Sequence, residues 1–198
     1  MEHLNCSVVF NRRKDKVLFC KRKKEPYRVL KGRASTVFPA PCRKAVYGET
    51  KEERLQANVD VLHKKFTSQT DAIIPKIREV DEFLQSNVQY KNRLQESHPE
   101  VCFARLKGEV LLTSKHDAEG VRERAAILAD YLPEITEVWI AETARKMKCN
   151  EDDITDSVCL AIVANLLMQG KTESIPSEPM MDDTGLLMQM VIPRSDIW

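Results

Sequence analysis

No apolar run in this chain of 198 residues approaches the length needed to cross a bilayer, so no membrane-spanning helix is expected. The first thirty residues lack the uninterrupted apolar segment of a secretory leader, and a cytoplasmic protein is the expectation. Six cysteines (Cys6, Cys20, Cys42, Cys102, Cys149 and Cys159) show no CxxC pair and no zinc-ligand spacing, which argues for structural thiols in a reducing compartment. Only six glycines are present, and none builds the glycine-rich loop that cradles a nucleotide phosphate. There is no internal repeat and no low-complexity linker.

What is present is the balance of a globular protein, 42% hydrophobic and 31% charged, at a length that suits one domain with a real core. The net charge of +1 conceals an asymmetry. Residues 1 to 33 hold eleven Lys or Arg against three acids, a balance of +8, so the remainder carries −7. A basic end on an acidic body can contact phosphate backbones through counterion release. The same charges also suit the loop and exposed ends of a β-hairpin built from Cys6 to Phe10 and Lys16 to Cys20.

Pro39 and Pro41 predict a rigid extended loop before residue 46. Helices are then predicted from Leu55, Val59, Leu62 and Phe66, and, after the cap-like Thr67-Ser68, from Ile73, Ile77, Val80 and Leu84. Pro75 should kink the second helix or mark its first turn. Val88, Tyr90 and Leu94 read as a strand ending at Glu96, and Val110 to Leu112 as a short apolar run. Asp117 is a good N-cap for a helix with the stripe Val121, Ala125, Leu128 and Leu132. A further helix spans residues 134 to 148, and a buried one runs from the acid-rich Asp152 to the stop at Gly170. The tail reads as a loop through Pro176 and Pro179, a turn at Asp182-Asp183, and a strand from Leu186 to Ile192.

Two places gather carboxylates. Glu96-Ser97-His98-Pro99-Glu100-Val101 sets two acids and the one histidine with acidic company at a strand-to-helix junction, although Pro99 and Glu100 also suit an ordinary helix start. Asp152 and Asp156 are i, i+4, and Asp153 and Asp156 are i, i+3, so three acids crowd the first turns of one helix. Part of that crowding is explained if Asn150 and Asp153 form a capping box. Asp156 lies deepest, where a buried like charge requires a partner. Lys115, just before a helix start, is placed either to reach an anion or to lie on the surface.

The runs Ala34-Ser35-Thr36-Val37-Phe38-Pro39-Ala40-Pro41-Cys42-Arg43, Pro75-Lys76-Ile77-Arg78-Glu79-Val80-Asp81 and Glu96-Ser97-His98-Pro99-Glu100-Val101-Cys102-Phe103 together resemble domain-of-unknown-function family 429 (DUF429), predicted nucleases of RNase H-like fold. The resemblance continues through Ser114-Lys115, Glu119-Gly120, Arg124, Asp152 to Asp156, and Asp183 with Gly185. It implies an α/β fold with a mixed sheet flanked by helices over residues 34 to 198 and a helical insertion at about 50 to 85. It also implies a metal-dependent phosphodiester hydrolase acting on nucleic acid, with two Mg²⁺ or Mn²⁺ ions. By position, Glu96, Glu100, Asp153 and Asp156 would be the metal ligands, and His98 and Lys115 would position water or phosphate.

The chain departs from the family pattern at its start. Members begin with a strand carrying an aspartate near a glycine-rich turn, and residues 1 to 33 show neither that nor the later aspartate before a proline. The N-terminal part of the fold is therefore expected to be incomplete. The alternative to a nuclease is a catalytically degenerate member that binds nucleic acid or serves as a structural domain.

Overall fold

A computed structural model describes Leu30 and residues 40 to 195. The hairpin expected at the basic N-terminal end and most of the loop expected around Pro39 and Pro41 fall outside the described residues. Within them, seven helices and one two-stranded antiparallel sheet form a mixed α/β structure. No helix among the described residues is long and apolar enough to cross a membrane.

The chain enters through α1 (Arg43–Val46), α2 (Lys51–Leu62) and α3 (Ser68–Ser86). A reciprocal capping box starts α2, with Thr50 Oγ1 accepting from the Glu53 N–H and the Glu53 carboxylate accepting from the Thr50 N–H, each at 3.2 Å. Thr67 caps α3, and Pro75 sits inside that helix rather than in its first turn. These helices enclose two small apolar clusters. One joins Val46, Ile74 and Ile77, and the other Cys42, Ala45, Ala57 and Leu62.

One side chain fastens this helical segment to the far end of the chain. The Arg43 guanidinium pairs with Asp81 in α3 and with Asp182 in the turn after the first strand, and Tyr47 donates its hydroxyl to Asp81 at 2.7 Å. Asp182 also accepts from the Thr184 and Leu186 N–H groups at 2.8 and 2.9 Å. Burial works against its charge, but those hydrogen bonds and Arg43 outweigh it and hold the carboxyl below its ordinary range.

Residues 88 to 90 correct the sequence reading. They form a 3-10 turn, Val88–Tyr90, with the Tyr90 N–H donating to Asn87 O at 2.9 Å and the Lys91 N–H to Val88 O at 3.1 Å. β-prone side chains favour a strand only where a neighbour covers one face, and Val88 and Leu94 remain exposed here. Val110 to Leu112 is likewise irregular, with Leu111 buried and Leu112 exposed.

The main core is built by α4 (Pro99–Lys107), α5 (Ala118–Ala129), α6 (Glu137–Met147) and α7 (Glu151–Met168) with β1 (Thr172–Met181) and β2 (Leu187–Pro193). Pro99 opens α4, and Gly108, at φ 82°, closes it in the left-handed conformation that a side chain disfavours. Phe103, Leu128, Ile140 and Ile192 are fully buried in this core, each contributing about 1.5–3 kcal/mol relative to exposure. Leu30 packs into the same cluster.

The strand β1 replaces the loop expected through Pro176 and Pro179. It pairs with β2 from Thr172 opposite Pro193 to Ile175 opposite Met190, and resumes at Met180 opposite Met188. The register breaks across the prolines, which have no N–H to give to a ladder. On the other side of β2, the Val191 N–H donates to Glu96 O at 2.7 Å and Ser97 Oγ donates to Val191 O at 2.7 Å. Those two bonds fix the backbone just ahead of α4.

Candidate functional site

The acids of α4 and α7 are carried by helices that pack in the same main core. Glu100, in the first turn of α4, is 9% exposed and its Oε1 accepts from Arg124 Nη2 at 2.6 Å. Arg124 comes from α5, where it occupies the buried face alongside Ala125 and Leu128, and it is 0% exposed. Its Nη1 donates to Gly120 O at 3.1 Å, and its guanidinium lies 5.5 Å from the Phe103 ring centroid.

Gly120 sets the position of the loop ahead of α5. A Cβ there would stand 1.8 Å from the Ser114 carbonyl oxygen and 2.7 Å from its carbon. Only glycine allows the Ser114-Lys115 backbone to lie this close to the helix. Gly120→Ala is therefore expected to displace the loop and cost about 2–3 kcal/mol, read as a lower urea midpoint at unchanged slope.

That loop delivers Lys115 to the first turns of α7. Its Nζ is 2.9 Å from Asp156 Oδ2 and 3.0 Å from Asp152 Oδ2, with Asp156 3% and Asp152 8% exposed. Asp152 and Asp156 are one turn apart on one face, so a single ammonium bridges both. Burial would lower the Lys115 pKa, but Asp156 and Asp152 outweigh it and hold it above the ordinary 10.5. The folded pKa exceeds the unfolded one, so the bridge contributes fully below about pH 10 and is lost as pH rises through the folded value. His116 stands farther out, exposed, with Nδ1 3.8 Å from Asp152.

The remaining residues singled out from sequence are placed differently. The Asp153 carboxylate accepts from the Asn150 N–H at 3.0 Å and closes the capping box of α7. His98 is buried at the N-cap of α4. Glu96 lies against β2 with its Oε1 buried and without a hydrogen-bond partner among the described residues. Burial pushes its pKa well above the ordinary carboxylate value.

The sign of that shift gives a test. A carboxyl with a raised folded pKa contributes stability that is fully present below the unfolded value and lost as pH rises through the folded one. Glu96→Gln removes the ionisation. The variant should gain on the wild type by about 1.4 kcal/mol per pH unit between those two values, measured as urea midpoints across pH. Parallel curves would show that Glu96 does not titrate in the fold.

Two of the groups that matter here were weakly marked in the sequence. Arg124 interrupts an apolar stripe, which signals a buried acid partner. The i, i+4 spacing of Asp152 and Asp156 signals a shared face, whereas Asp153 points to the helix start.

A two-metal centre requires several carboxylates converging on one point. Among the described residues, no three His, Cys, Asp or Glu side chains converge in that way. Glu100 is answered by Arg124, and Asp152 and Asp156 by Lys115. The described residues in this arrangement do not fit a pair of Mg²⁺ or Mn²⁺ ions.

Comparison with curated proteins and with solved structures gives no match. The family model described as "Protein of unknown function (DUF429)" matches residues 22–181, which take in Glu96, Glu100, Lys115, Arg124, Asp152 and Asp156. This span is more than half of the chain, and the chain belongs to the DUF429 family.

Proposed function

We propose that this chain is a non-hydrolysing member of its family that retains an RNase H-like scaffold and binds nucleic acid. The observation that carries this reading is the Lys115 ammonium held between Asp152 and Asp156, where a hydrolase would need free carboxylates. With Arg124 on Glu100, each acid group is already answered by a cation from within the chain. The binding half of the reading is supported by the +8 balance over residues 1 to 33. An exposed aromatic pair, Phe83 and Tyr90 with centroids 5.4 Å apart, lies close in sequence to Lys91 and Arg93 and offers rings for base stacking.

A second reading, a Mg²⁺- or Mn²⁺-dependent nuclease, has one specific observation in its favour. The buried Glu96 Oε1 has no hydrogen-bond partner among the described residues, as an acid awaiting a cation would. In that reading Glu96, Glu100, Asp153 and Asp156 are ligands and His98 and Lys115 position water or phosphate.

The deciding experiment incubates the full chain with single-stranded, double-stranded, hybrid and branched nucleic acids, with and without Mn²⁺, and follows binding and cleavage across a salt series. Binding that weakens steeply with salt, falls on deletion of residues 1 to 33 and occurs without cleavage is the expected result. Metal-dependent cleavage abolished by Asp156→Asn would overturn it in favour of the nuclease.

A further inference from the structure

Polar side chains fasten the helical segment to the main core. Among the described residues, no apolar cluster draws buried side chains from both. One set lies between Cys42 and Ile77, and the other takes Leu30 and residues from Val101 to Ile192. The hydrogen bonds that cross between them converge on the turn joining β1 to β2. Arg43 pairs with Asp182 there and its Nη2 donates to Thr184 Oγ1 at 3.2 Å. Gln85 Nε2 donates to the same hydroxyl at 3.0 Å, and Lys91 Nζ donates to Thr184 O at 2.6 Å.

Each side chain in this seam also has a partner on its own side. Arg43 pairs with Asp81, which accepts from Tyr47 as well. Lys91 Nζ donates to Gln85 Oε1 at 2.8 Å, and Gln85 Nε2 lies 3.3 Å from Asp81 Oδ1. Across the seam, Asp182 Oδ1 accepts from the Thr184 and Leu186 N–H groups and, at 2.8 Å, from the Thr184 hydroxyl. Parting the two faces therefore strands no charge, and a stranded charge is what makes a buried ion pair costly to break.

The geometry points to a latch. The turn at residues 182 to 184 holds residues 42 to 91 as one body, which opens as a unit while the core of α4 to α7 stays folded. The chain leaves that body through residues 92 to 94, all exposed and in a turn, before Glu96 O is bound to β2. Hinges are built from a few such positions between packed bodies. Regions with few buried apolar side chains open in cooperative blocks, below the free energy of global unfolding. The small clusters around Ile77 and Ala57 meet that condition, whereas the core around Phe103 and Ile140 does not. Opening bares Asp81 and Gln85 on one side and Asp182 and Thr184 on the other.

The test follows native-state hydrogen exchange of the full chain by peptide mass spectrometry across low urea concentrations. Peptides from α1, α2 and α3 are expected to exchange through one shared opening, at urea concentrations that leave α4 and α7 protected. Thr184→Ala removes the hydroxyl that Arg43 and Gln85 share, and should speed that shared exchange about tenfold with α4 and α7 unchanged. Lys76→Ala breaks only the exposed pair with Glu79 on α3, and should leave the exchange within about twofold of wild type. A single urea dependence common to every helix would overturn the proposal, as would acceleration in Thr184→Ala confined to the turn itself. The wild-type urea series decides the point even if a variant folds poorly. The readout is independent of whether the chain binds or cuts nucleic acid.

Discussion

Arg124→Met is expected to lower folding stability by about 3–5 kcal/mol, the largest effect of any single change in the core. The side chain is 0% exposed, and its loss leaves the Glu100 carboxylate, at 9% exposure, without the guanidinium 2.6 Å away. The hydrogen bond to Gly120 O and the contact with the Phe103 ring go as well. Most of the cost comes from an uncompensated buried charge, so removing the charge should recover much of it. The double variant Arg124→Met/Glu100→Gln is expected to be more stable than Arg124→Met alone by about 2 kcal/mol, by urea unfolding of all four members of the cycle. Equal stabilities of the single and double variants would mean that the pair is not coupled and that Arg124 acts through packing.

The second large effect is at Lys115. Lys115→Met removes the one ammonium shared by Asp152 and Asp156 and leaves two buried like charges a helical turn apart. The cost at neutral pH should be about 2–3 kcal/mol, below that at Arg124 because the lysine is only half-buried. The deficit comes from the unbalanced carboxylates, so Lys115→Met/Asp156→Asn should be more stable than Lys115→Met alone, by urea unfolding of all four members of the cycle. The same vacancy creates a demand for a cation. Mn²⁺ should raise the melting temperature of Lys115→Met and leave the wild type unchanged. A wild type that Mn²⁺ stabilises as strongly as the variant would show that the lysine does not stand in the way of a metal.

Helix starts were the most legible part of the sequence, because capping chemistry is local. Thr67, Pro99, Asp117 and Asn150 stand where their residue types predict. The strand assignments were weaker for an equally physical reason. Val88, Tyr90 and Leu94 have strand propensity but no covering neighbour, whereas Thr172 to Met181 has prolines yet finds a partner in β2. Pairing depends on residues distant in sequence, which propensity does not register. The same holds for the site. The carboxylates could be read one by one, but not that Arg124 answers Glu100 across 24 residues or that Lys115 answers Asp156 across 41.

Arg43 gives the molecule a temporal order. Its helical segment carries its own small clusters and can coil as soon as it is made, yet one of its two carboxylate partners is Asp182, which is synthesised 139 residues later. On a ribosome the Arg43–Asp81 pair must therefore wait for its second carboxylate until the β1–β2 turn emerges. The end of the chain then closes a structure that its beginning could only start.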